Sequence, residues 1–240
     1  GTDAALAMAM GHVVLKEFYF NKRSAYFDDY ARRYTDLPLL LRLDETAVAD
    51  GSKVLAPGRY VRASDFADKL GQDNNPEWKS VAFDTAGQVV APNGSIGFRW
   101  GPEGRADVGK WNLEARDGRT SADVKLKLSV LEDDQKHEVV EVAFPYFAGA
   151  STPHFPNNRQ QGELNRAKVP AVRLRLADGT EALVATVFDL QVAQYGIDRG
   201  LGSGAADYND NAPYTPAWQE QITGVPRDQV ITVARQFADN

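Results

Sequence analysis

The chain has 240 residues, enough for one large domain or a domain carrying a sizeable insertion, and its 43% hydrophobic and 25% charged residues are ordinary for a globular protein. A formal charge of −6 disfavours a nucleic-acid partner, and no apolar run approaches the ~18 residues a membrane span needs, so direct membrane insertion is not expected. The absence of cysteine removes disulfides, thiolate-held zinc, iron–sulfur ligation and a cysteine nucleophile from this stretch.

The chain opens on GTDAALAMAMGH, a helix start signal with no initiator methionine, which reads either as a small protein that happens to begin at a helix cap or as a segment cut from a longer chain. Leu6, Met10, Val13, Val14 and Phe18 recur at helical spacing and predict a helix over Ala4 to Phe20, with Thr2 or Asp3 capping its first turn. A second helix is expected over Ala25 to Tyr34, capped by Ser24, and a short buried strand over Leu37 to Leu43. Arg59 to Ala63 alternates like a strand, and Ser64 should cap a short helix over Asp65 to Leu70. Three hairpins follow: Lys79 to Asp84 with Gln88 to Ala91, Val124 to Leu131 with Val139 to Phe144, and Val172 to Leu176 with Leu183 to Phe188. The last turns at Asp178-Gly179, a strong hairpin signal. No helical pattern separates these strands, so the middle is expected to be antiparallel. Helix returns over Asp189 to Tyr195, then after Thr215-Pro216 up to Thr223, and from Pro226 with Val230, Val233, Ala234 and Phe237 on one face. Between them, residues 200–213 read as a polar, flexible, glycine-rich loop. The fold class is α+β: helices at both ends bracket a β-rich antiparallel insertion.

Asp3 is the sharpest candidate. A carboxylate entering a helix can accept two hydrogen bonds from the ring N–H and amino edge of a guanine, while bare first-turn amides favour a phosphate; on the motif alone plain capping is the preferred reading. His12, His137 and His154 are scattered without metal-ligand spacing. Asn93-Gly94-Ser95-Ile96-Gly97 fails the nucleophile-elbow signature at its first position, and Gly200-Leu201-Gly202-Ser203-Gly204 lacks the strand and lysine of a phosphate cradle. Asp207 and Asp210 lack EF-hand spacing. The loops around Trp78, Trp100 and Trp111 offer either a binding face or plugs for the core, and plugging is the preferred reading.

Several stretches together resemble one family, the catalytic alpha subunit of membrane-bound respiratory nitrate reductase, a molybdopterin oxidoreductase. They are GTDAALAMAMGHV (1–13), DDYARRYTDLP (28–38), GQDNNPEWKSVAFDTAGQVVAPNGSIGFRWG (71–101), KWNLEARDG (110–118), VAFPYF (142–147), ADGTEALVATVFDL (177–190) and YTPAWQEQITGVPRDQVITVARQFADN (214–240). GTDAAL is shared widely among molybdopterin oxidoreductases; the middle stretches are specific to the nitrate reductase alpha subunit. The resemblance implies an internal fragment of an enzyme reducing nitrate to nitrite at molybdenum held by two molybdopterin guanine dinucleotides, with electrons from quinol. It implies partners as well: the rest of the alpha subunit, an iron–sulfur beta subunit and a membrane haem gamma subunit, at the cytoplasmic face of the bacterial inner membrane. The intact enzyme's iron–sulfur cluster and its molybdenum ligand would lie outside this segment, so no catalytic or metal-ligating residue is expected here and the segment alone should be inactive. Gly1, Thr2 and Asp3 become cofactor-contact candidates, Asp3 as guanine acceptor. By the same resemblance, residues 1–39 form a helical part of the molybdopterin-binding domain, 40–190 a β-rich insertion and 191–240 the helical return. Two other readings stay open: a standalone module recognising a protein or glycan, and a related molybdoenzyme acting on another oxyanion.

Overall fold

The computed structural model describes residues 2–47, 52–93, 116–145 and 164–239. Helices lie at both ends and a mixed sheet in the middle, an α+β arrangement. The first helix, α1 (Asp3–Val14), continues without a break into a π-helical turn, Leu15–Phe20, and α2 follows over Ala25–Tyr34. The π-turn is closed by Asn21 N–H donating to the Lys16 carbonyl at 2.9 Å. Widening the helix there re-aims its side chains: Leu15 and Phe18 stay buried while Glu17 turns towards the C-terminal helix. Neither expected N-terminal cap forms. Thr2 already has helical backbone angles (φ −98°, ψ −4°), which carries its hydroxyl away from the first amides, and Ser24, although extended, makes no side-chain cap bond.

The middle strands are β1 (Leu40–Ala47), β2 (Lys53–Tyr60), the two-residue pairs β3 (Ala82–Phe83) with β4 (Val89–Val90) and β5 (Pro92–Asn93) with β6 (Arg116–Asp117), then β7 (Glu138–Pro145), β8 (Leu164–Arg175) and β9 (Glu181–Thr186). Five of them close on themselves in the order β1-β2-β7-β8-β9, because β1 pairs with both β2 and β9. Period-two alternation splits β9 between two cores: Ala182 and Val184 join Leu40, Val81 and Phe83, while Leu183 and Ala185 join Leu43, Val142 and Val169. Asp178-Gly179 makes the β8–β9 turn as expected, Gly179 taking φ +83°.

Three expectations for this region need correction. The barrel is not wholly antiparallel, since β2 meets β7 in parallel at Leu55 and Val142. The stretch Val124 to Leu131 is not a strand partnering β7; β8 takes that edge in an eight-residue register, Glu138 opposite Ala171 through Pro145 opposite Leu164. The displaced segment instead runs beside β3, where Lys127 N–H donates to the Phe83 carbonyl, and it ends in a 3₁₀ turn, Val130–Glu132. The helix expected over Asp65 to Leu70 is two 3₁₀ turns, Ala63–Asp65 and Lys69–Gly71. Six residues are too few to sustain an isolated helix, and Asp65 spends its carboxylate backwards on the Arg62 amide and Arg59.

The C-terminal part holds α3 (Val187–Gln194), α4 (Pro216–Thr223) and α5 (Arg227–Asp239). Thr215 caps α4 as its sequence indicates, its hydroxyl accepting from Trp218 N–H at 3.1 Å ahead of Pro216. α1 packs against both α4 and α5, with Ala5, Tyr214 and Trp218 buried between. Arg235 of α5 donates a fork to Glu17, which also accepts from Arg23 and the Tyr208 hydroxyl; led by the Arg235 hydrogen bond, these hold the Glu17 carboxyl below its ordinary range. The apolar face of α5 is only half covered: Val230 and Ala234 are buried, Val233 and Phe237 exposed. Gly11 lets α1 approach the Tyr195 ring, because a Cβ there would overlap that ring. Gly11→Ala should therefore destabilise by about 1–3 kcal/mol, reversing the gain of roughly 1 kcal/mol that alanine brings to an open helix interior. Urea unfolding of the variant measures the sign directly.

Candidate functional site

The start of α1 presents what its sequence promises in part. Asp3 is exposed, Thr2 is half-buried, and the Thr2 carbonyl accepts from Ala5 and Leu6 N–H at 3.0 and 3.3 Å. Among the described residues Asp3 has no hydrogen-bond or ion-pair partner, and no side chain caps the first turn. Gly1 lies outside the described residues. The helix thus begins with a carboxylate and uncapped amides facing outward, beside the positive end of the helix dipole.

His12 is fully buried. Its Nδ1–H donates to the Tyr195 carbonyl at 2.6 Å, the Tyr208 ring stands edge-on at 5.8 Å, and Nε2 has no partner among the described residues. Burial pushes its pKa down to about 4; the Tyr195 carbonyl works against that and Lys16 adds to it. A depressed native pKa means the unfolded chain takes up the proton first. Stability from this residue is complete above the unfolded value of 6.5 and is lost as pH falls towards 4, by up to about 3 kcal/mol. Urea titrations at pH 7 and 4.5 should show that loss, and His12→Gln should flatten it; an unchanged slope in the variant would refute the assignment.

The remaining sequence candidates separate. His137 is exposed and bonded to the Gln135 carbonyl at 2.9 Å, while His154 lies outside the described residues. Residues 94–97 of the serine-containing stretch lie outside as well. The glycine-rich loop is pinned rather than loose: Lys168 N–H donates to Ser203 Oγ at 2.7 Å, and Gly204 (φ +101°) is packed so closely on Ile197 and Asp198 that a Cβ would collide with their backbone. Asp207 and Asp210 turn onto local backbone amides, Asp207 Oδ1 accepting from Asn209 N–H and Asp210 Oδ2 from Asp207 N–H. Trp78 is 74% exposed, so it plugs nothing; Trp100 and Trp111 lie outside the described residues.

Two ionic clusters that single-sequence reasoning missed stand side by side. In the first, Arg32 of α2 donates to both oxygens of Asp28 and both oxygens of Glu132, each at 2.9 Å, and to the Leu126 carbonyl at 2.6 Å. Burial disfavours its charge, but the Asp28 and Glu132 hydrogen bonds prevail and raise its pKa above the ordinary guanidinium value. In the second, Asp189 of α3, wholly buried, accepts from Ser129 Oγ, Val130 N–H, Thr186 Oγ1 and Arg199 Nη1. Arg199 also donates to Ser129 Oγ, and its guanidinium carbon lies 5.8 Å from the Phe20 ring and 5.9 Å from the Phe188 ring. A cavity of about 470 Å³ opens between the clusters, with Lys22 and Lys125 among its lining. Such fixed charges orient groups well, but none pairs a nucleophile with a free base, and among the described residues no three histidine or carboxylate side chains gather to hold a metal.

No protein-family model matches the chain. Curated relatives match along its whole length: it is 55% identical to the respiratory nitrate reductase 1 alpha chain of Escherichia coli K12, 52% to that organism's respiratory nitrate reductase 2 alpha chain, and 39% to the nitrate reductase alpha chain of Bacillus subtilis 168. In each case all of this chain is covered but only 18% of the relative. At that identity, sustained from end to end, the chain belongs to the nitrate reductase alpha-chain family and spans about a fifth of the length of the relatives it matches.

Proposed function

We propose that these residues are an internal part of an alpha chain that reduces nitrate to nitrite, and that the start of α1 seats the guanosine end of a molybdopterin guanine dinucleotide. Residues 1–39 and 191–240 then belong to the cofactor-binding domain, with 40–190 inserted as structural elaboration. In the intact enzyme, electrons come from quinol through iron–sulfur beta and haem gamma subunits, at the cytoplasmic face of the bacterial inner membrane. The molybdenum carried by two such dinucleotides supplies the oxygen-atom removal when bound, and this segment supplies no ligand to it.

The observation that carries the reading is the unpartnered Asp3 carboxylate beside uncapped first-turn amides. The donor set fits. A guanine edge offers two parallel N–H donors to a carboxylate, and the amides with the helix dipole suit the adjoining phosphate. Thr2 would orient the turn through its carbonyl, already bonded to Ala5 and Leu6. Burial of α1 against α4 and α5 fixes where that turn points, so binding orders little new structure.

Asp3→Ala in the full-length enzyme should lower the guanine nucleotide released per alpha chain by about tenfold at limiting cofactor, the loss expected for one charge-assisted pair of roughly 1.5–3 kcal/mol. Because Asp3 is exposed, folding stability should stay within about 0.5 kcal/mol. Full guanine loading in the variant would defeat the assignment.

A further inference from the structure

We propose that the cavity between the two ionic clusters is a docking socket for an acidic polypeptide segment lying outside these 240 residues. This rests on the reading of the chain as part of a longer alpha chain, of which it spans 18% in the relatives.

The charges around the cavity are of two kinds. Arg32 and Arg199 are buried and spent on Asp28, Glu132 and Asp189. Lys22 and Lys125 are exposed, reach the same cavity from separate chain segments, and make no hydrogen bond or close ion pair among the described residues. Both ammonium groups act electrostatically on Asp28, so their fields converge on one spot. Lys22 also holds a left-handed backbone (φ 52°) just past Asn21, the C-cap of the π-turn, where glycine is the usual residue. Beside these cations the mouth exposes apolar surface, Phe20 being 38% exposed and Leu131 half-buried. Two cations without a close ion-pair partner, beside an aromatic ring, match a carboxylate flanked by an apolar side chain.

The net charge selects between a diffusing anion and a tethered one. With −6 overall, the chain repels free anions at long range, and two exposed ammonium groups alone hold a small anion weakly in water. A carboxylate carried on the same polypeptide arrives at millimolar or higher effective concentration, which offsets that repulsion.

The test uses the intact enzyme. A zero-length carbodiimide joins amines to carboxylates already in contact, and mass spectrometry locates the resulting amides; brief acetylation reads lysine accessibility. Lys22 and Lys125 should be linked to aspartate or glutamate of one segment outside residues 1–240, and be acetylated about tenfold more slowly than exposed Lys136, a factor equivalent to about 1.4 kcal/mol of docking. Lys22→Glu with Lys125→Glu should abolish the links and expose the partner segment to protease, and Lys22→Arg with Lys125→Arg, which keeps both charges, should leave it protected. Several results would overturn the proposal: links confined to Asp28 and Glu132, acetylation at the Lys136 rate, protection that appears only when inorganic phosphate is added, or links between isotopically distinguished copies of this chain. Nitrate reduction assayed on the same preparation reports separately on the proposed function, so the two readings fail independently.

Discussion

Asp189→Ala should lower the unfolding free energy by about 3–5 kcal/mol, which for a chain of this size shifts the thermal midpoint down by roughly 10 °C. Four donors converge on this carboxylate: the Ser129 and Thr186 hydroxyls, the Val130 amide and the Arg199 guanidinium, at 2.6 to 3.0 Å. Asp189 is wholly buried and the Arg199 side chain only 5% exposed, so truncation leaves a cation in the interior with no counter-charge. Arg199 has little room to escape, because Ser129 holds its other Nη and the Phe20 and Phe188 rings lie within 5.9 Å of its guanidinium carbon. Asp189→Asn should cost less, since it keeps one acceptor oxygen at the same place. A double-mutant cycle between Asp189→Ala and Ser129→Ala should return a coupling of about 0.5–3 kcal/mol, as expected for residues in one network. Additive losses in urea unfolding would mean that Ser129 and Asp189 act separately and that the network description is wrong.

The reach of single-sequence reasoning can be located at particular residues. Thr215-Pro216 and Asp178-Gly179 were legible because each encodes its geometry within four residues: a hydroxyl cap ahead of a fixed φ, and a glycine free to take φ +83°. The π-turn at Leu15–Phe20 was not, since the same apolar spacing suits an α-helix, and the contacts that accompany the turn, such as the Arg235 fork on Glu17, are tertiary. Val124 to Leu131 alternates like a strand, yet a strand needs a partner edge, and the longer match of β8 had taken the edge of β7. Barrel closure was out of reach for the same reason: β1 meeting β9 joins residues some 140 positions apart, and no local pattern records it. The candidate site divides the same way. Asp3 sits at a helix start as its sequence says, whereas its freedom from capping depends on the backbone angle of Thr2. Asp189 did leave a signal, a lone carboxylate in the apolar run Val187-Phe188-Asp189-Leu190, but its partner Ser129 lies 60 residues away. A buried acid inside an apolar helix implies a partner without naming it.

Arg32→Ala should cost about 2–4 kcal/mol, less than loss of Asp189, because the groups it deserts can reach water. The Arg32 side chain is 7% exposed while those of Asp28 and Glu132 are 23% and 25% exposed, so both carboxylates can rehydrate once the guanidinium is gone. The Leu126 carbonyl, bonded at 2.6 Å from within the protein, is the group left without its donor. Arg32→Lys should recover only about half of the loss, because an ammonium carries the charge but cannot present parallel forks to two carboxylates at once. The acid limb of the stability curve gives an independent reading. The hydrogen bond from Arg32 holds the Asp28 carboxyl below its ordinary value of 3.8. A depressed native pKa contributes stability that is complete above the unfolded value and disappears as pH falls through the native one. Wild type should therefore lose more stability than Arg32→Ala between about pH 5 and pH 2. Curves that stay parallel down to pH 2 would show that Asp28 gains nothing from Arg32, and the coupling of α2 to the 126–132 segment would then rest on packing alone.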